Sequence, residues 1–156
     1  MFAQPEHPVM LAQTIQLALA PVFVLVAIGN IMSILTARLA RMVDRSRHLQ
    51  TLHGGTMGSE HDGVVAEMRV IDRRIAYIGR ALLCLVIAGL AIGTTVATLF
   101  LSELAKADLG LLTAATFVLA IALLMVALVL LLLETRLAAK TLRLPPELLE
   151  LERGDL

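Results

Sequence analysis

Residues 109–133 read LGLLTAATFVLAIALLMVALVLLLL, an apolar stretch without a single formal charge. Two further stretches, residues 8–37 and 81–102, also lack charged side chains. Each stretch exceeds the roughly 20 residues of helix that cross a hydrocarbon core of about 30 Å. A helix also satisfies its own backbone hydrogen bonds, which lipid cannot do. The sequence therefore predicts an all-α integral membrane protein with three transmembrane helices.

The basic residues are spread unevenly between these stretches. Of thirteen lysines and arginines, eight fall in residues 36–80 and four follow residue 133, whereas Lys106 alone separates the second and third stretches. Segments rich in lysine and arginine stay on the cytoplasmic side of a membrane. We therefore predict that the N-terminus lies outside and that the C-terminus lies in the cytoplasm.

Composition argues against several classes of function. The one cysteine, Cys84, allows no intramolecular disulfide and suggests no thiolate metal site. With no tryptophan and one tyrosine, the chain lacks the stacking platforms that single-stranded nucleic acid needs. No charged residue lies near the middle of a span, where ion-coupled carriers place one. We expect no nucleic-acid partner.

Cofactor and metal chemistry find little support in the sequence. His48, His53 and His61 fit no compact ligand spacing, and the glycine-rich segment around them is a poor cage for a metal ion. No nucleophile elbow, phosphate loop or zinc-protease helix occurs. We therefore expect a protein that is not an enzyme and that holds no cofactor and no metal.

Helical periodicity continues beyond the first apolar stretch and resumes before the second. Four glycines within residues 50–63 end the helices and allow a reversal. We predict that spans one and two extend into a cytosolic antiparallel helical hairpin over residues 36–80. Steps of four and three, typical of helices packed lengthwise, run through Leu35, Leu39, Met42, Ser46 and Leu49, and through Val64, Met68, Ile71, Ile75, Ile78 and Leu82.

The two hairpin arms repeat one charge pattern, Arg, two apolar residues, Asp, Arg. Facing residues of an antiparallel pair have numbers with a constant sum. A sum of 113 sets Arg41 opposite Asp72 and Asp44 opposite Arg69. These contacts would be ion pairs between the arms. The alternative is that each Arg and Asp interact only within one solvated helix, where such a pair contributes a few tenths of a kcal/mol.

These patterns divide the chain into three segments. Residues 1–14 form an extracytoplasmic N-terminal segment, and residues 15–133 form the three-span membrane domain with its hairpin. Residues 134–156 form a cytosolic C-terminal helix and tail, in which Pro145 and Pro146 end the helix.

Small residues mark the faces through which helices can approach closely in lipid. Gly89 and Gly93 form a GxxxG motif in span two, and Gly29 and Ser33 form a matching ridge in span one. These ridges either pack spans one and two together or form a contact between copies of the chain. Both interpretations remain open.

Asn30 is the most polar side chain deep within a span. The residues at its depth on the other two spans cannot bond its amide. Its amide bonds to the local backbone beside Gly29, to the thiol of Cys84, or to Asn30 of a second copy. A homo-oligomer lined by Asn30 and the threonines of spans two and three would be a small ion channel, the alternative to a structural or partner-binding membrane module.

The residues Leu19-Ala20-Pro21-Val22-Phe23, with the run Leu35-Thr36-Ala37-Arg38-Leu39-Ala40-Arg41-Met42-Val43-Asp44-Arg45-Ser46-Arg47, form a recognisable pattern. It resembles a family of small bacterial membrane proteins catalogued as domain of unknown function twenty-seven twenty-one. The resemblance implies a three-helix protein of a bacterial-type inner (plasma) membrane and transfers no catalytic residue. The expected partners are the lipid bilayer, a second copy of the chain, and anionic lipid at the inner-face arginines.

Overall fold

The computed structural model describes the backbone of residues 6–141 and the side chains of residue 16 and residues 18–139. This part of the chain forms three helices and contains no strand: α1, Glu6–His53; α2, Ser59–Ala105; and α3, Gly110–Thr141. The predicted all-helical class is confirmed, and each helix is long and apolar enough to cross a membrane. The predicted helix end at Pro145 and Pro146 and the tail beyond it lie outside the described residues.

Two of the helices are longer than a bilayer is thick. α1 has 48 residues and α2 has 47, so at 1.5 Å per residue each measures about 70 Å. A bilayer with its headgroups is about 40–45 Å thick. α3, with 32 residues, measures about 48 Å. α1 and α2 can therefore cross a membrane and continue well past one of its faces.

α2 is the central helix, because α1 and α3 each pack extensively on it and much less on each other. α1 and α2 meet next to their connecting loop, where the rings of His53 and His61 lie 4.4 Å apart. They also meet far from it, where Leu25 Cδ1 lies 3.8 Å from the position of a Cβ built on Gly89. Contacts at both ends make the pair antiparallel.

The core repeats every seven residues along all three helices. Such a repeat keeps one stripe of a helix against its neighbours, as in coiled coils and helical bundles. The predicted hairpin seam belongs to this core, since each of its residues is buried or half-buried. The buried stripes are Ile28, Leu35 and Leu49 on α1; Ile71, Ile78, Leu85 and Ile92 on α2; and Ala120, Ala127 and Glu134 on α3.

The faces outside these stripes are apolar and exposed. Phe23 on α1, Leu90 on α2 and Leu111 on α3 each leave most of their surface uncovered. A soluble protein rarely exposes so continuous an apolar surface, whereas lipid tails are as apolar as leucine and cover it without cost. The exposed surface thus fits the bilayer indicated by helix length and composition.

The two connections are short. The α1–α2 loop, residues 54–58, ends at Gly58, whose φ of 65° lies in the left-handed region that glycine adopts without strain. In the α2–α3 loop, Ser102 Oγ donates to the carbonyl of Ala107 at 2.8 Å, and Gly110 N donates to Asp108 Oδ1 at 3.2 Å. These bonds fix the point at which α3 turns back along α2.

Candidate functional site: a buried carboxylate shared by three helices

Glu134 of α3 is fully buried and bonded by arginines from both other helices. Arg38 of α1 donates from Nη1 to Oε2 at 2.9 Å. Arg74 of α2 donates to Oε1 from Nε at 3.0 Å and from Nη2 at 2.8 Å. One carboxylate thus joins all three helices. We call Arg38, Glu134 and Arg74 the charge cluster.

The seven-residue stripe explains why Glu134 is buried. Ala120, Ala127 and Glu134 occupy equivalent positions on α3, and the helix continues unbroken through them. Arg38 follows the buried Leu35 by three residues, and Arg74 follows the buried Ile71 by three. Both arginines therefore stand at the edge of the core that α3 covers, because residues three apart share a helix face.

The geometry satisfies the carboxylate well. An isolated buried carboxylate is costly, and it becomes tolerable when it is paired and fully hydrogen-bonded. Both oxygens of Glu134 accept charge-assisted bonds, which are shorter and stronger than neutral ones. Among the described residues, no buried side-chain nitrogen or oxygen lacks a hydrogen-bond partner. The charge cluster therefore joins α1 and α2 to α3 without leaving the buried carboxylate unpaired.

The charge cluster lies where the apolar stretches end. Glu134 directly follows residues 109–133, and Arg38 directly follows residues 8–37. Arg74 precedes the stretch 81–102 by less than two turns. The three side chains therefore converge at one boundary of the apolar part of the molecule. With two guanidinium groups and one carboxylate, the charge cluster carries an excess positive charge.

A second ion pair joins the two hairpin arms. Arg45 donates to Glu67 from Nε at 2.8 Å and from Nη2 at 2.9 Å, a bidentate arrangement. Arg45 lies seven residues after Arg38, and Glu67 lies seven before Arg74. The pair therefore lies on the same helix faces as the charge cluster, about two turns further along the arms. Both side chains are more than a third exposed, and such a pair contributes only about 0–1 kcal/mol.

The structure pairs the arms differently from the sequence-based hypothesis. Arg41, Asp44, Arg69 and Asp72 are all exposed, and none of them belongs to an ion pair within the described side chains. A constant sum of residue numbers matches heights along two helices, but it ignores the rotation of about 100° per residue. Arg69 and Asp72 line a groove beside Ser46 and His53 of the facing arm, but neither reaches an acidic or basic partner there.

The small-residue ridges lie mainly outside the packed core. Gly29, Asn30, Ser33 and Gly93 are exposed, and Gly89 is half-buried. The α1–α2 contact is made mainly by the side chains of the seven-residue stripes, and Gly89 adds to it through Leu25 of α1. A Cβ on Gly29 or Gly93 would meet nothing within 4 Å. The Asn30 amide makes no hydrogen bond to any side chain or backbone that the structure describes.

Threonines join α2 and α3 at the opposite end of the bundle from the charge cluster. Thr95 and Thr116 hydroxyls lie 2.9 Å apart, and Thr113 donates to Thr98 at 3.0 Å. Thr95 also bonds its own helix through the carbonyl of Ala91 at 2.9 Å. These threonine hydroxyls therefore bond to one another across α2 and α3 of the same chain.

Sequence reasoning missed the charge cluster because it assigned Glu134 to the cytosolic tail. The available signal was the spacing: Glu134 follows Ala127 by seven residues and Ala120 by fourteen. An acidic residue in register with a stripe of small core residues predicts burial and a cationic partner. Within the described residues, no group of three or more His, Cys, Asp or Glu side chains could hold a metal ion.

A family model bears out the resemblance that the run around Arg38 suggested. Searches of curated proteins and of solved structures gave no match. A family model described as "Protein of unknown function (DUF2721)" matches residues 18–144. This range includes all three residues of the charge cluster and both hairpin arms. The match covers most of the chain and confirms the resemblance inferred from the sequence, so the protein belongs to the DUF2721 family.

Proposed function

We propose that this protein is a non-enzymatic structural or partner-binding module of a bacterial-type inner (plasma) membrane. Its N-terminus lies outside, and its hairpin arms and C-terminus lie in the cytoplasm. The observation that carries this proposal is the charge cluster, which links three apolar helices where their apolar stretches end. Rigid linkage at that level suits a scaffold that presents the helices projecting beyond it.

The projecting part is a hairpin of substantial reach. Past Arg38, α1 continues to His53, and α2 begins at Ser59 before it reaches Arg74. At 1.5 Å per residue, each arm extends about 22 Å beyond the charge cluster. The arms pack through their seam and by Arg45 with Glu67, so they offer a preformed helical surface to a cytoplasmic partner. A preformed surface binds with a smaller loss of conformational entropy.

A second copy of the chain is one partner that the membrane part supports. Asn30 exposes an amide on a helix face that otherwise fits lipid, and a polar group in hydrocarbon gains from a partner. An amide both donates and accepts, so two copies related by twofold symmetry can satisfy each other. Gly29 and Ser33 beside it would let the two α1 helices approach closely.

Substitution of Asn30 tests this contact. Membrane hydrogen bonds of this kind contribute about 0.5–2 kcal/mol each, so Asn30→Leu should reduce the oligomer fraction several-fold in mild detergent. The exposed Phe23→Leu serves as the matched control on the same helix and should leave the fraction unchanged. A wild-type protein that sediments as a monomer, and that does not cross-link in native membranes, would rule out the contact.

A homo-oligomeric ion channel is the second candidate function, favoured by the exposed polar side chains of Asn30 and Ser33. Against it, Thr95, Thr98 and Thr116 bond within and between α2 and α3 and are not free to line a path. Ion flux into liposomes that contain the purified protein separates the two functions. We expect no flux above that of empty liposomes, and flux abolished by Asn30→Leu would favour the channel.

A further inference from the structure

Arg38 has hydrogen-bonding capacity that the charge cluster does not use. Its Nη1 donates to Glu134 at 2.9 Å and reaches Thr135 Oγ1 at 3.5 Å. Its Nε and Nη2 make no hydrogen bond to any side chain or backbone that the structure describes. The side chain is 34% exposed. A guanidinium fork with two free nitrogens at the surface is a ready partner for a phosphate group.

The charge around Arg38 is not balanced by the side chains that the structure describes. Glu134 neutralises one of its two arginines, and Arg41, three residues after Arg38, adds a further exposed guanidinium on the neighbouring turn. Within the described side chains Arg41 has no ion-pair partner. The charge cluster, which includes Arg38, carries one net positive charge, and Arg41 adds a second. Two positive charges are therefore available to an anion.

The shape of the bundle provides a place for that anion. α1 and α3 both pack on α2 but make little contact with each other. We call the line along which they face each other, where Arg38 Nη1 and Thr135 Oγ1 lie 3.5 Å apart, the furrow, and the two helix faces beside it its walls. Ile34 lies seven residues before Arg41, and Leu128 lies seven before Thr135, so both continue the same walls into the apolar part. Ile34 is 55% exposed and Leu128 is 38% exposed.

We propose that this furrow binds an anionic phospholipid, with its phosphate on Arg38 and Arg41 and an acyl chain against Ile34 and Leu128. The charged and apolar walls are continuous and change character where the apolar stretches end, which is the depth of a lipid headgroup. A free phosphate would use the arginines alone and would leave the apolar walls without a role. The inference rests on the proposed membrane placement and adds a ligand to it.

Native mass spectrometry of the full-length protein, released from detergent micelles with added lipid, tests the site. Phosphatidylglycerol should be retained more strongly than phosphatidylcholine of the same chain length. Arg41→Gln should weaken phosphatidylglycerol binding about fivefold, the factor that corresponds to roughly 1 kcal/mol per arginine at an anionic surface. Arg41 is used because replacing Arg38 would also break the charge cluster.

Arg73→Gln is the matched control. Arg73 is exposed at a similar distance along the other hairpin arm, so its loss should change phosphatidylglycerol binding by less than twofold. An equal loss in both variants, an unchanged Arg41→Gln, or equal retention of both lipids would overturn the proposal. Displacement of the lipid by an equal concentration of inorganic phosphate would assign the site to free phosphate instead. None of these results bears on the orientation of the hairpin, which is measured separately.

Discussion

At the scale of single residues, Glu134 determines how the charges of this protein are arranged. It is fully buried, and its oxygens are bonded by Arg38 and Arg74. The exposed pair Arg45–Glu67 has similar distances but is bathed by solvent. Because Glu134 is buried and the Arg45–Glu67 pair is exposed, we expect the charge cluster to fix the helix arrangement and the exposed pair to contribute little to stability.

Replacing Glu134 should be strongly destabilising. Glu134→Gln keeps the side-chain shape but leaves Arg38 and Arg74 facing each other without a counter-charge, and breaking a buried pair typically costs about 3–5 kcal/mol. We expect a clear drop in the thermal unfolding midpoint in detergent, measured by circular dichroism. Glu67→Gln is the matched control and should cost about 0–1 kcal/mol. Equal midpoints for the two variants would mean that the charge cluster does not hold the bundle together.

At the scale of elements, the helices and the seam could be predicted from the sequence, and the charged contacts could not. Hydrophobic periodicity reports which face of a helix is buried, so Leu35, Leu49 and Ile78 were placed correctly. Ion pairs depend on the rotation of two helices and on long side chains, neither of which periodicity determines. The seven-residue spacing of Glu134 could have predicted its burial, but not which arginines bond it, because Arg38 and Arg74 are distant in the chain and only the fold brings them to it.

The glycine ridges are a second feature whose contacts the sequence alone does not determine. A GxxxG motif predicts that a helix can approach another closely, but not which helix it approaches. Within the chain, α1 and α2 pack through their seven-residue stripes, and Gly93 stays exposed. Gly89 packs against Leu25 of α1, whereas Gly29 and Gly93 remain available for a contact between copies, and Gly29 adjoins the proposed Asn30 interface.

Two adjacent residues, Leu35 and Ile34, test which face of α1 packs in the core. Leu35 is fully buried, whereas its neighbour Ile34 is 55% exposed. Leu35→Ala should cost about 2–5 kcal/mol, the usual range for a large-to-small change in a packed core, because it leaves a cavity against α2. Ile34→Ala changes a lipid-facing side chain and should cost much less. Detergent-based thermal unfolding of the two variants compares them directly, and a larger loss for Ile34→Ala would contradict the assigned seam.

At the scale of the whole molecule, three apolar helices are joined by a charge cluster at one end of their apolar part, and two of them continue as a packed hairpin. At about 70 Å each, α1 and α2 exceed the thickness of a bilayer with its headgroups, about 40–45 Å, by about 25–30 Å, and this length stands outside the bilayer. The arginines of the arms indicate which side that is. The function proposed for the protein depends on this side being the cytoplasm, where a partner could bind the arms.

Labelling of the hairpin loop tests that placement most directly. Met57 is 91% exposed in the α1–α2 loop, so Met57→Cys in a Cys84→Ser background provides a single reactive thiol at the tip. We predict that a membrane-impermeant maleimide labels this thiol in inside-out vesicles and not in intact cells, whereas Lys106→Cys in the same background shows the opposite pattern. Labelling of Met57→Cys in intact cells would contradict a cytoplasmic hairpin.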